Sequence, residues 1–96
     1  MEEIDNSIIS YRFMRYRRIK ELREDIDMNQ TQFAKILGMS QTGYSKYETG
    51  ENDVPTMILQ KMADYYHTSI DYILGRTDIR TPYPPSSIST KDEDGY

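Results

Sequence analysis

Residues 30–48 read QTQFAKILGMSQTGYSKYE, two short runs separated by Gly38, with Asn29 opening the first and Ser40 the second. The first run carries a helix start. Asn29 can cap it, Gln32 can return the bond to close a capping box, and Met28 can pack on Phe33 as a hydrophobic staple. Phe33, Ala34 and Leu37 fall at helical spacing and should face a core. Gly38 stops the helix, because glycine takes the left-handed conformation that helix ends commonly need. The pattern then restarts, with Ser40 as cap and Met39 and Tyr44 repeating the staple. So short a connection, with a glycine in it, suits two helices crossing at a steep angle and predicts a helix-turn-helix.

Working outward, Ile19, Leu22 and Ile26 share one helical stripe, which predicts a first helix from Tyr16 to a boundary near Asp27. Residues 1–14, MEEIDNSIISYRFM, read either as an arm or as an early start to that helix. After the central pair, TGENDV at 49–54 is a polar loop, and Pro55 suits the first turn of a fourth helix whose apolar positions are Ile58, Leu59, Met62, Ala63 and Tyr66. Ser69 caps a short fifth helix with Ile70, Ile73 and Leu74 on its apolar side, and Gly75 ends it. No alternation of useful length suggests a strand. The expected architecture is all-α, a compact five-helix domain over residues 15–78. Residues 79–96, with Pro82, Pro84 and Pro85 and an acidic end, are expected to be a flexible, disordered tail.

Composition narrows the function. A chain of 96 residues has room for one domain with a modest core. Zero cysteine removes disulfides, thiolate metal sites and thiol catalysis together. No apolar run approaches a membrane span or signal peptide, so a cytoplasmic location is expected. There is no glycine-rich phosphate loop, no ligand-spaced His set and no nucleophile beside a base, so neither an enzyme nor a bound cofactor or metal is expected. His67, the one histidine, suits a helix C-terminus better than a metal or catalytic role. The tyrosines at 65, 66 and 72 read as core and rim. The net charge of −4 runs against a phosphate-gripping protein, but residues 12–80 carry eleven Lys or Arg against ten Asp or Glu, and the net acidity sits at the ends, with Glu2, Glu3, Asp5, Asp92, Glu93 and Asp94. Any nucleic-acid binding should therefore lean on geometry and hydrogen bonds more than on bulk attraction.

The second run of the opening stretch supplies that geometry. At about 100° per residue, Gln41, Thr42, Ser45 and Lys46 share one arc, while Tyr44 and Tyr47 lie opposite. One face can dock by tyrosines and the other can enter a major groove. Gln bonds adenine bidentately, Ser and Thr bond either kind of base edge or touch a thymine methyl, and Lys reaches guanine. Any amphipathic surface helix shows a polar face; the preceding helix and turn are what make this one a reading surface.

Residues 18–78 resemble the phage-repressor type of helix-turn-helix domain, the XRE or Cro-like family. The resemblance rests on the opening RIKELRE, on Gln30 with FAKILGMS, on YSKYETGE and on the closing DYILGRTD. It implies a lambda-repressor-like five-helix fold in which Gln30 touches backbone phosphate and Gln41, Thr42 and Lys46 meet bases, with Ser45 assisting. It also implies a structural ion pair between Arg23 and Glu48. The sequence departs from the family pattern in two places. Gly43 lies inside the reading helix, at a cost of up to about 1 kcal/mol relative to alanine. Glu51 and Asp53 stand in the loop where many relatives carry basic residues, leaving Thr49, Asn52 and backbone N–H groups as the expected phosphate contacts. The basic cluster Arg12, Arg15, Arg17, Arg18 and Lys20 reads either as a phosphate grip, with Arg15 and Arg18 on the DNA backbone, or as a solvated face partly neutralised by Glu21 and Glu24.

These readings converge on a sequence-specific regulator of transcription that binds double-stranded DNA, expected to be a repressor. One helix reads few base pairs, so a homodimer on a palindromic operator is expected, with Ile8, Ile9, Tyr72 and Ile73 as apolar candidates for its interface. The rival reading is an antitoxin or phage-derived adaptor that kept the fold and binds a protein partner, with weak DNA affinity.

Overall fold

The computed structural model describes residues 16–86. Among them lie five helices: α1 (Arg17–Asp25), α2 (Gln30–Leu37), α3 (Gln41–Thr49), α4 (Thr56–Tyr66) and α5 (Ile70–Ile73). The anticipated extension, residues 1–14, and Arg15 lie outside the described residues, as do residues 87–96.

Each helix contributes one large, fully buried side chain to a single core: Ile19, Phe33, Tyr44, Met62 and Ile73. Burying such a side chain is worth roughly 1.5–3 kcal/mol, so the five helices are held by shared burial more than by their own propensity. Phe33 is the hub. Its ring meets Tyr44 edge-on at 5.5 Å, Tyr65 at 5.4 Å and Tyr66 at 5.1 Å, joining α2 to α3 and α4.

The helix ends follow local chemistry. Asn29 accepts from the Gln32 N–H at 2.8 Å while the Gln32 side chain accepts from the Asn29 N–H at 2.9 Å, completing the capping box. Gly38 ends α2 at φ 76°, with its own N–H on the Lys35 carbonyl and that of Met39 on the Ala34 carbonyl. Ser40 caps α3 through the Gly43 N–H at 3.1 Å, and Ser69 caps α5 through that of Tyr72 at 3.0 Å. Pro55, expected in the first turn of α4, stands one step earlier at its N-cap. His67 terminates α4 in the left-handed conformation, φ 55°, without being glycine.

Three expectations need correction. Ile26 lies past the end of α1, where Asp27 turns left-handed, so it leaves the apolar stripe and is 41% exposed. Ile73 is a core residue with 0% exposure and is no candidate for a dimer surface; Tyr72 is half-buried beneath Arg18, and Ile8 and Ile9 lie outside the described residues. Residues 79–86, expected as the start of a disordered tail, run back along the corner of α4 and α5. The buried Thr68 hydroxyl donates to the Arg80 carbonyl at 2.6 Å, and the Tyr83 hydroxyl donates to Asp71 at 3.0 Å.

Candidate nucleic-acid interface

α3 is anchored by Tyr44 and Tyr47, 0% and 8% exposed, whose rings meet edge-on at 6.4 Å. That anchoring turns Gln41, Thr42 and Lys46 outward into solvent, with Ser45 half-buried beside them. The four residues therefore share one face. It is uncharged except for Lys46, and so offers directed donors and acceptors rather than bulk charge.

Beneath this face runs a chain of polar contacts linking three helices. Arg23 of α1 grips Glu48 of α3 with two prongs, Nε on Oε2 at 2.6 Å and Nη2 on Oε1 at 3.1 Å, and its Nη1 donates to the Met28 carbonyl at 2.7 Å. Glu48 Oε1 also accepts from Gln30 Nε2 at 2.9 Å, and Gln30 Oε1 accepts from Gln41 Nε2 at 2.6 Å. The buried ion pair thus reaches the surface through two glutamines. Each occupies the first helical position after its cap, Gln30 after Asn29 and Gln41 after Ser40, and the crossing of α2 on α3 brings those positions together.

The electrostatics are consistent with this packing. Burial alone would raise the Glu48 carboxyl. The hydrogen bond from Arg23, with Tyr44 and Gln30 adjoining and the Arg23 charge behind them, outweighs burial and holds the carboxyl below the ordinary carboxylate range. The same bond raises Arg23 further. Burial, reinforced by Glu48, pushes Tyr44 well above the usual phenol range; its hydroxyl lies against the carboxylate without meeting hydrogen-bond geometry.

At the far end of α3 the Thr49 hydroxyl faces the Lys46 carbonyl at 3.3 Å and the Glu51 carboxylate at 3.1 Å. Asn52 is exposed, and its backbone N–H donates to the Lys46 carbonyl at 3.1 Å. The structure therefore brings Gln30, Gln41, Thr42, Ser45, Lys46, Thr49 and Asn52 to one side of the α2–α3 pair. Arg15 lies outside the described residues. Arg18 is the correction. Expected on the phosphate backbone, it is turned instead into the seam between α1 and α5, where it donates to the Tyr72 and Thr77 carbonyls, meets Asp78 at 2.6 Å and stacks on the Tyr72 ring at 4.1 Å. The Tyr72 carbonyl, in the last turn of α5, thus accepts from Arg18 as well as from the Gly75 N–H. Arg17 is the neighbour that stays exposed, pairing with Glu21 at 3.2 Å.

Reading the sequence missed the link from Gln30 to Gln41. The signal that could have found it is the repetition of cap followed by glutamine at both helix starts. Among the described residues no group of three or more His, Cys, Asp and Glu could hold a metal ion, and no helix is long and apolar enough to cross a membrane.

Comparison with known proteins agrees with this geometry. Residues 19–73 match the helix-turn-helix family. The chain is 45% identical over 60 residues to the cryptic phage CTXphi transcriptional repressor RstR of Vibrio cholerae, covering 62% of this chain and 53% of that protein. It is 31% identical over 75 residues to antitoxin PezA of Streptococcus pneumoniae, covering 78% and 48%, and 32% identical over 63 residues to the HTH-type transcriptional regulator ImmR of Bacillus subtilis, covering 66% and 50%. The chain spans about half the length of these curated relatives. No solved structure matches at a comparable level. With a family match across most of the described helices, and the paired helices and turn that define it in place, the chain belongs to the helix-turn-helix family of phage-repressor (XRE) type.

Proposed function

We propose that this protein is a sequence-specific regulator of transcription that inserts α3 into the major groove of double-stranded DNA. The observation that carries the reading is the exposed face of Gln41, Thr42, Ser45 and Lys46, with Gln41 oriented from below by Gln30 and Glu48. In this reading those four residues meet base edges. Gln30, Thr49, Asn52 and Arg15 meet the phosphate backbone and set register without reading sequence. Arg18 is left out of the contact, since three of its N–H donors are spent within the fold.

The protein acts as a repressor and as a homodimer. Similarity to RstR supports repression. The dimer is motivated by arithmetic, because one α3 spans only a few base pairs and two-fold pairing on a palindrome with half-sites about 34–36 Å apart restores useful specificity. Selection of bound duplexes from a random pool tests the base reading and the dimer. An inverted repeat should emerge, with adenine recurring where Gln41 falls. Recovery of unrelated duplexes only would sink sequence-specific reading, and single half-sites would sink the dimer.

A second reading has its own support: similarity to antitoxin PezA, with Gly43 in the reading helix and Glu51 and Asp53 in the loop after it. In that reading the domain serves chiefly to hold a protein partner. Titration of random duplex at two salt concentrations separates the readings, because a DNA reader binds and weakens steeply as salt rises.

A further inference from the structure

An ionised carboxylate can only accept hydrogen bonds, and Arg23, donating to both oxygens of Glu48, keeps that side chain ionised. An amide that meets Glu48 Oε1 must therefore do so with its nitrogen, as Gln30 does through Nε2 at 2.9 Å. That turns the Gln30 oxygen toward Gln41, which must answer with its own Nε2, at 2.6 Å. The order of donors and acceptors is thus set at a buried acid, whose side chain is 3% exposed, and carried by two amides to the exposed start of α3. Gln41 is left with one amide N–H and its Oε1.

One donor beside one acceptor is the complement of adenine, whose major-groove edge sets the N7 acceptor beside the N6 amino donor. Guanine sets two acceptors there, N7 and O6, and a glutamine needs both of its N–H groups to hold both. With one N–H engaged by Gln30, Gln41 would meet guanine with its oxygen against an acceptor.

We propose that Glu48 is a positioning residue for base choice: by accepting from Gln30 it fixes the orientation of the Gln41 amide, and so makes the base opposite Gln41 adenine in preference to guanine without itself touching DNA. This role rests on the DNA-binding reading above. Glu48→Gln, of the same shape, brings an amide nitrogen that can face Gln30. Gln30 then accepts, its Nε2 turns to Gln41 Oε1, and both N–H groups of Gln41 are released for guanine. Neither orientation of the new amide offers Arg23 two acceptors, so both orders of the chain become accessible.

The test uses the full chain and the duplex recovered by selection, together with a second duplex that carries guanine for adenine at the position where Gln41→Ala flattens base preference. Titrated at one salt concentration, wild type should favour the adenine duplex about 10-fold or more, and Glu48→Gln should bring that ratio to about 2-fold or less. Loss of folded protein lowers both affinities alike, so a merely structural role for Glu48 would leave the ratio unmoved. Gln30→Met breaks the chain at its middle and keeps the Arg23–Glu48 pair; it should lower the ratio to about 3-fold or less, and it decides alone should Glu48→Gln fail to fold. An unchanged ratio in either variant, or a wild type that prefers guanine at that position, would overturn the role of Glu48 while leaving base reading by Gln41 intact. If Gln41→Ala flattens no position, both fall.

Discussion

Arg23 and Glu48 have side chains 9% and 3% exposed, so each is tolerable in the core only because of the other. Arg23→Ala or Glu48→Ala alone should cost about 3–5 kcal/mol by leaving an uncompensated buried charge, whereas replacing both with apolar residues of similar volume should cost far less. Chemical denaturation of the three variants measures this; equal losses for single and double variants would contradict it. The pH dependence has a definite sign. Because the native Glu48 carboxyl lies below its unfolded value, its contribution is complete above the ordinary glutamate range and is lost as pH falls through the depressed native value. Glu48→Gln should remove that acid-sensitive component from the stability profile. One layer higher, Gln41→Ala should cost roughly 1–3 kcal/mol on the selected duplex and much less on random DNA. Equal losses on both would place Gln41 outside the base-reading set.

Among the elements, the two glycines flanking Ser40 differ in what they do. Gly38 needs its positive φ of 76° and has open space around it, so Gly38→Ala should cost about 1–2 kcal/mol from backbone conformation alone. Gly43 is helical, and a β-carbon there would come within 3.2 Å of Met39 Cε and Ser40 Oγ, the tips of two side chains. The gain in helix propensity and this crowding oppose each other, so Gly43→Ala should move stability by less than about 1 kcal/mol. Thermal melts of both variants test the contrast. The caps at Asn29, Ser40 and Ser69 and the stop at Gly38 were legible in sequence because they act over three or four residues, within reach of local pattern. The docking of α3 by Tyr44 and Tyr47 followed from the same periodicity. The role of Arg18 was not legible, and Ile73 was legible as apolar but not as fully buried: an arginine in a basic run and an isoleucine on a four-residue helix take their roles from contacts made more than fifty residues away and from the whole core, respectively. Thr68 illustrates the same limit, since nothing in its neighbourhood announces that it will hold the Arg80 carbonyl.

For the molecule as a whole, the density of tyrosine sets the alkaline limit. Tyr44 and Tyr66 lie at the centre, and burial raises both above the ordinary phenol range; among the described residues the Tyr66 hydroxyl has no hydrogen-bond partner. A raised native pKa means that their contribution is complete below the unfolded value of about 10 and is lost as pH climbs beyond it. Tyrosinate absorbance followed together with helical circular dichroism should show these two ionising only as the helices melt. Complete ionisation with the helical signal intact would refute that account. The glutamine chain has a thermodynamic consequence as well. A free glutamine on a surface samples many rotamers and gives up that disorder when it binds, whereas Gln41 is already held at 2.6 Å by Gln30. In the proposed DNA-binding role, calorimetry should therefore find Gln30→Ala binding a duplex with a less favourable entropy than wild type, because the wild-type fold orders the Gln41 amide beforehand.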